Sequence, residues 1–107
     1  MAPNDKKIRV ESQGMATVVH FVPTHLTDTE LDAGLRQELL SLGEIPGELI
    51  LDFSGVGYVA SSVLGTLIVL HKRRSTVQGT LKLSALSNDL RDMLHWMKLD
   101  SVFTIVP

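Results

Sequence analysis

Two adjacent hydroxyls, Ser61 and Ser62, follow the glycine-bearing stretch Phe53-Ser54-Gly55-Val56-Gly57-Tyr58-Val59-Ala60 and precede an apolar run. Serine at such a place caps a helix, because its side-chain oxygen accepts from an amide of the first turn. The same place suits an anion. Exposed N–H groups at a helix start attract negative charge, so a phosphate on a serine there is tolerated locally and adds roughly −1.5 to −2 of charge to the surface. By residue type alone, capping and charge switching are both open at this pair.

The other chemistry-bearing residues point to fewer possibilities. His20, His25, His71 and His95 show no H-x-x-x-H or H-x-H spacing with a carboxylate partner, which argues against a metal site. There is no G-x-S-x-G elbow for a hydrolase triad. The chain has no cysteine, which removes thiolate ligands, cysteine nucleophiles and a disulfide scaffold. Gly55-Val56-Gly57-Tyr58-Val59-Ala60 matches G-x-G-x-x-A, yet the helix is expected to begin only at Ser61, after the motif. Residues 78–83, about 20 positions on, hold no acid for a ribose. No cofactor is expected.

The elements that must position Ser61 and Ser62 can be read from periodicity. Ile8 and Val10 alternate with polar neighbours, Gly14 punctuates, and residues 15–22 carry the β-branched Thr17-Val18-Val19, which together predict a strand pair or hairpin ended by Pro23. Thr27-Asp28-Thr29-Glu30 offers N-caps for a helix with Leu31, Leu35, Leu39 and Leu42 on one face, closed near Gly43. Leu49-Ile50-Leu51 reads as a strand covered on both faces, closed by Asp52. A loop over 53–60 leads to a largely buried helix with Val63, Leu64, Leu67, Ile68 and Leu70. Its end, His71-Lys72-Arg73-Arg74, is expected to complement the helix's own terminal carbonyls. Gln78-Gly79 turns into a strand at 80–83. Ser87 or Asn88 caps a last helix with Leu90, Met93, Leu94 and Met97 on one stripe, and Trp96 is expected to pack at the stripe's edge, the alternative being an exposed aromatic that anchors a partner. Residues 102–106 suggest a short final strand. Strands alternating with helices after a hairpin predict an α/β fold with a mixed sheet.

Composition sets the bounds. The 107 residues, 44% hydrophobic, fit a single domain, with residues 1–7 as a flexible N-terminus lacking the apolar run of a signal peptide. A net charge of −2 gives no basic field for direct binding of nucleic acid. The longest largely apolar stretch, 59–70, is interrupted by polar residues and falls short of the ~20 residues of a membrane helix. A soluble intracellular protein is expected.

Leu49-Ile50-Leu51-Asp52-Phe53-Ser54-Gly55-Val56 followed by Ser61-Ser62-Val63-Leu64-Gly65 resembles the STAS family of bacterial anti-sigma factor antagonists, whose pattern reads strand, D-x-S-x-V, then D-S-S-G-x-G at a helix start. Leu99-Asp100-Ser101-Val102-Phe103 looks like the family's closing L-D-x-x-F segment, so the likeness spans about residues 8–106. The resemblance implies a mixed sheet of four to five strands with an N-terminal hairpin and three or four helices, in one domain over 1–107. It also implies a non-enzymatic, cytoplasmic protein whose partner is an anti-sigma factor or serine kinase. Ser61 maps onto the phosphoacceptor, and Ser62 and Gly65 shape the helix start. Asp52 and Ser54 belong to the supporting strand and loop. The partner-facing set is Ser61, Ser62, Gly65, Ser54, Gly57, Tyr58, Thr24 and Thr27. Three departures stand out: Ala60 replaces the usual Asp, Val63 the usual Gly, and Thr24-His25-Leu26-Thr27 the usual G-x-L-D. The first and last remove acids that could meet the partner, and Val63 is expected to add stiff bulk beside the acceptor. They keep open an alternative, a STAS scaffold or subunit of a larger regulatory or transport assembly that is never phosphorylated.

Overall fold

The computed structural model describes residues 7–106. The expectation of a flexible N-terminus therefore lies outside the described residues except at Lys7. Five strands form the main sheet: β1 (Ile8–Gln13), β2 (Ala16–Phe21), β4 (Glu48–Asp52), β6 (Thr80–Ser84) and β7 (Thr104–Val106), in the order β1-β2-β4-β6-β7. Two short strands, β3 (His25–Leu26) and β5 (Tyr58–Val59), pair in parallel as a separate sheet. The helices are α1 (Ala33–Ser41), continued by a 3₁₀ turn at Leu42–Glu44, α2 (Ser61–Thr76) and α3 (Asn88–Trp96).

β1 and β2 are antiparallel and joined through Gly14-Met15, with Gly14 at φ +63°, a value that glycine adopts without strain. Every other pairing in the main sheet is parallel, so α1, α2 and α3 serve as crossover helices. Gly47 is required at the entry to β4. Its φ is +87°, and a Cβ there would collide with the Met15 carbonyl, which the Glu48 amide reaches at 3.2 Å.

The helices share one sheet face. Val19, Leu49, Leu51, Leu81 and Leu83 form the core there with Leu35 and Leu39 of α1, Leu64, Leu67 and Leu70 of α2, and Leu90 and Leu94 of α3. Burying each such side chain stabilises the fold by about 1.5–3 kcal/mol. The opposite face departs from the expectation of a doubly covered strand. Ile50 is only half-buried, and its neighbours on that face include Glu48 and Lys82, paired at 2.7 Å, and the row Glu11-His20-Asp52. These polar groups let water serve as the second layer.

Several local expectations are corrected. The first helix starts at Ala33, because Asp32 rather than residues 27–30 is its N-cap, accepting from the Leu35 amide at 2.8 Å. Leu31 keeps its core contact from the preceding turn, so helical spacing extends beyond the helix. Ser87 caps α3 as anticipated, accepting from Leu90 at 3.2 Å. Trp96 does not pack at the stripe's edge: it is 83% exposed.

The basic tail of α2 also differs from the expected helix-end complement. Arg74 is 1% exposed and donates to the Leu42, Ile45, Gly47 and Thr80 carbonyls, which belong to other segments. It lies over Gly79, where any Cβ would strike the guanidinium. The sequence shows a charge at a helix terminus; the fold turns it inward as a brace.

Candidate functional site

Ser61 and Ser62 are the first two residues of α2, exposed at the carboxyl end of the parallel strands. Neither is the cap. The N-cap is Ala60, extended at φ −72° and ψ 156°, and it makes no side-chain capping bond. The Ala60 carbonyl accepts from the Val63 and Leu64 amides at 3.0 and 3.2 Å. Ala60 itself is only 6% exposed, so its methyl faces the interior rather than a partner. Val63 is 1% exposed, which places its branched side chain in the core and not beside the Ser61 hydroxyl, correcting the expectation of bulk there.

The junction before α2 is zipped to the segment after β2. His25 pairs with Tyr58 and Leu26 with Val59; the Gly57 amide donates to Thr24 O and the Ala60 amide to Leu26 O, both at 2.8 Å. Leu26 and Val59 anchor this ribbon in the core, whereas Thr24, His25 and Tyr58 stay at the surface. The hydroxyl of Thr24 lies 3.0 Å from His25 Nδ1, and the His25 and Tyr58 rings are 6.4 Å apart. Thr27 accepts the Glu30 amide on its side chain at 3.3 Å and the Leu31 amide on its carbonyl at 3.1 Å, forming the turn that leads to α1.

A contact across this junction was not legible in the sequence. Ser62 Oγ donates to Asp28 Oδ1, joining residues 34 positions apart. The Ser61 hydroxyl, among the described residues, makes no hydrogen bond. The two serines thus differ: one is tied and one is free. Asp28 also restores an acid beside the segment whose family pattern ends in Asp, one residue after Thr27.

Ser54 belongs to a neighbouring but separate feature. Asp52 Oδ1 accepts the Ser54 amide at 2.9 Å, while Oδ2 lies 2.9 Å from His20 Nδ1, and His20 Nε2 lies 3.1 Å from Glu11. Burial would raise the Asp52 carboxyl, but the bonds from Ser54 and His20 outweigh it and hold it below the ordinary carboxylate range. This row spans β1, β2 and β4 and fixes the start of the loop that follows β4. His20 therefore has two carboxylate partners that its spacing in sequence did not reveal, yet no three metal-binding side chains converge among the described residues.

Four amides of the glycine-bearing loop are taken up by acceptors of this chain. Ser54 N donates to Asp52, Val56 N to Phe53 O, Gly57 N to Thr24 O and Ala60 N to Leu26 O. A dinucleotide fingerprint needs such groups turned toward a pyrophosphate. Gly55, at φ +84°, serves the turn instead.

The structure therefore brings Thr24, Thr27, Gly57, Tyr58, Ser61 and Ser62 to one junction. Gly65 lies one turn along the exposed face of α2, four residues from Ser61, where a Cβ would meet nothing within 4 Å. Its lack of a side chain is not demanded by packing within the chain, and it leaves the face beside Ser61 flat. Ser54 is exposed at the loop's start and engaged with Asp52.

Residues 8–107 match the family described as the Mlab, STAS domain. The chain belongs to the STAS family. The STAS fold is also found in solved structures similar to this one. An anti-sigma-factor antagonist (STAS) domain protein from Planctomyces limnophilus superposes with a TM-score of 0.84 at 25% identity, over 92% of this chain and 87% of that one. An anti-sigma factor antagonist from Mycobacterium paratuberculosis gives a TM-score of 0.81 at 22% identity, over 99% and 89% of the two chains. No curated protein matches the sequence. Among the described residues, no helix of this STAS domain is long and apolar enough to cross a membrane.

Proposed function

We propose that this STAS domain, acting as a single domain over the whole chain, is a cytoplasmic anti-sigma factor antagonist that docks an anti-sigma factor and is switched off by phosphorylation of Ser61. The observation that carries the reading is the free, exposed Ser61 hydroxyl at the first residue of α2, amid the surface residues Thr24, Tyr58 and Ser62. In the modifying step Ser61 Oγ attacks the γ-phosphorus of ATP on a kinase partner, the hydroxyl proton passes to a base of that kinase, and ADP leaves. The phosphate gains support from the uncapped amides of a 16-residue helix. It adds charge to the docking face without entering the core, so it blocks the partner while the fold persists. Thr24, Thr27, Gly57, Tyr58, Ser62 and Gly65 form that face, with Ser54 at its margin.

One feature favours a second reading, a constitutive scaffold or assembly subunit: the N-cap is a buried alanine and supplies no acid. Intact-mass measurement after incubation with ATP and the cognate kinase separates the two. The switch reading predicts a gain of one phosphate that Ser61→Ala abolishes. No gain, or a gain that persists in Ser61→Ala, refutes it.

A further inference from the structure

The two serines at the head of α2 are treated unequally by Asp28. Its carboxylate accepts from Ser62 Oγ, and among the described residues this is the side-chain hydrogen bond that ties the turn between β3 and α1 to α2. The other acids of that turn point elsewhere. Lys7 Nζ lies 2.9 Å from Asp32 and 3.6 Å from Glu30 and donates to the Glu30 carbonyl at 2.8 Å. Asp28 is thus the carboxylate of the turn that reaches the head of the helix. The segment it holds is continuous with Thr24 and Leu26, whose carbonyls accept the Gly57 and Ala60 amides.

We infer that Asp28 is a positioning residue that couples negative charge at position 61 to the hold on residues 24–31. This rests on the reading of Ser61 as the switched position and adds how the switch reaches the neighbouring segment. Two consequences follow from the geometry. With its hydroxyl committed to Asp28, Ser62 presents no free O–H, which leaves Ser61 as the available acceptor. An anion on Ser61 would then stand one residue from the hydroxyl that Asp28 grips. Screening at physiological salt acts over roughly 8 Å, the scale that separates neighbouring side chains on one turn, so the two negative groups repel. Ser61 gains from the helix amides and keeps its charge; Asp28, on an exposed turn, is the group that moves. Its departure frees Ser62 and loosens the ribbon of β3 and β5, so the charge alters Thr24, Thr27 and Tyr58 as well as its own position.

Amide hydrogen exchange by NMR on the full chain at neutral pH, with no kinase or partner, tests this. Ser61→Asp is expected to speed exchange at Gly57, Ala60 and Leu31 about fivefold, the factor that corresponds to one hydrogen bond of typical net strength. Asp28→Asn keeps an acceptor oxygen for Ser62 and removes the charge, so it is expected to leave those amides near wild type. Added to Asp28→Asn, Ser61→Asp is expected to have no further effect. A merely structural role for Asp28 predicts no such dependence. An equal acceleration in both backgrounds, or none in either, overturns the proposal. The phosphate reading is tested by mass and this one by exchange in the isolated protein, so the failure of one is distinguishable from the failure of the other.

Discussion

The two ends of α2 are built on opposite principles. At the carboxyl end Arg74 is buried, and its guanidinium gathers carbonyls from the 3₁₀ turn, the entry to β4 and the start of β6. Burial draws its pKa down from the usual arginine value, and the planar fork is still charged and matched to several acceptors at once. At the amino end the N-cap is an alanine with no side-chain bond, one serine is free, and the other is held by an exposed aspartate. The carboxyl end is therefore held by a buried side chain, whereas the amino end is held through backbone bonds to Thr24 and Leu26 and leaves its two serines at the surface.

The comparison breaks first at Arg74. Arg74→Ala strands its buried carbonyl partners without a donor, and stability to urea is expected to fall by about 3 kcal/mol or more. Arg74→Lys should recover only part of that loss, because an ammonium cannot reproduce the fork. A loss below ~1 kcal/mol for Arg74→Ala would mean that the C-terminal end is not the anchor. The amino end should respond in the opposite direction and less. Ala60 has the extended backbone of a capping residue, so Ala60→Ser is expected to stabilise the protein by about 0.5–1 kcal/mol in the same assay. Failure to gain would show that the helix start is already satisfied and is not the looser end.

The contrast between the ends also explains what sequence could and could not disclose. The start of α2 at Ser61 was legible because a glycine-bearing stretch meets an apolar helical run there, and the D-x-S-x-V and S-S segments carry the family pattern. The hairpin, the crossover helices and the capping role of Ser87 were legible for the same local reason. The cap of α2 was not legible, because serine is the preferred residue there and the bond from the Ala60 amide to Leu26, which sets the chain's entry to the helix, leaves no mark in the sequence. The roles of Arg74 and Asp28 depend on partners about 30 residues away, and a charge at a helix end or in a polar turn gives no sign of them. Val63 shows the reverse case. The family comparison drew attention to its bulk, and helical periodicity alone already placed it among the core residues.

Under the proposed function, the head of α2 is a docking face governed by charge at position 61. The most direct test is the affinity of the anti-sigma factor partner for the wild-type chain, Ser61→Ala and Ser61→Asp, measured by titration calorimetry. The account predicts that Ser61→Ala binds as the wild type does and that Ser61→Asp binds at least tenfold more weakly, about 1.4 kcal/mol, even though Asp carries only part of a phosphate's charge. Equal affinity for all three chains would contradict it.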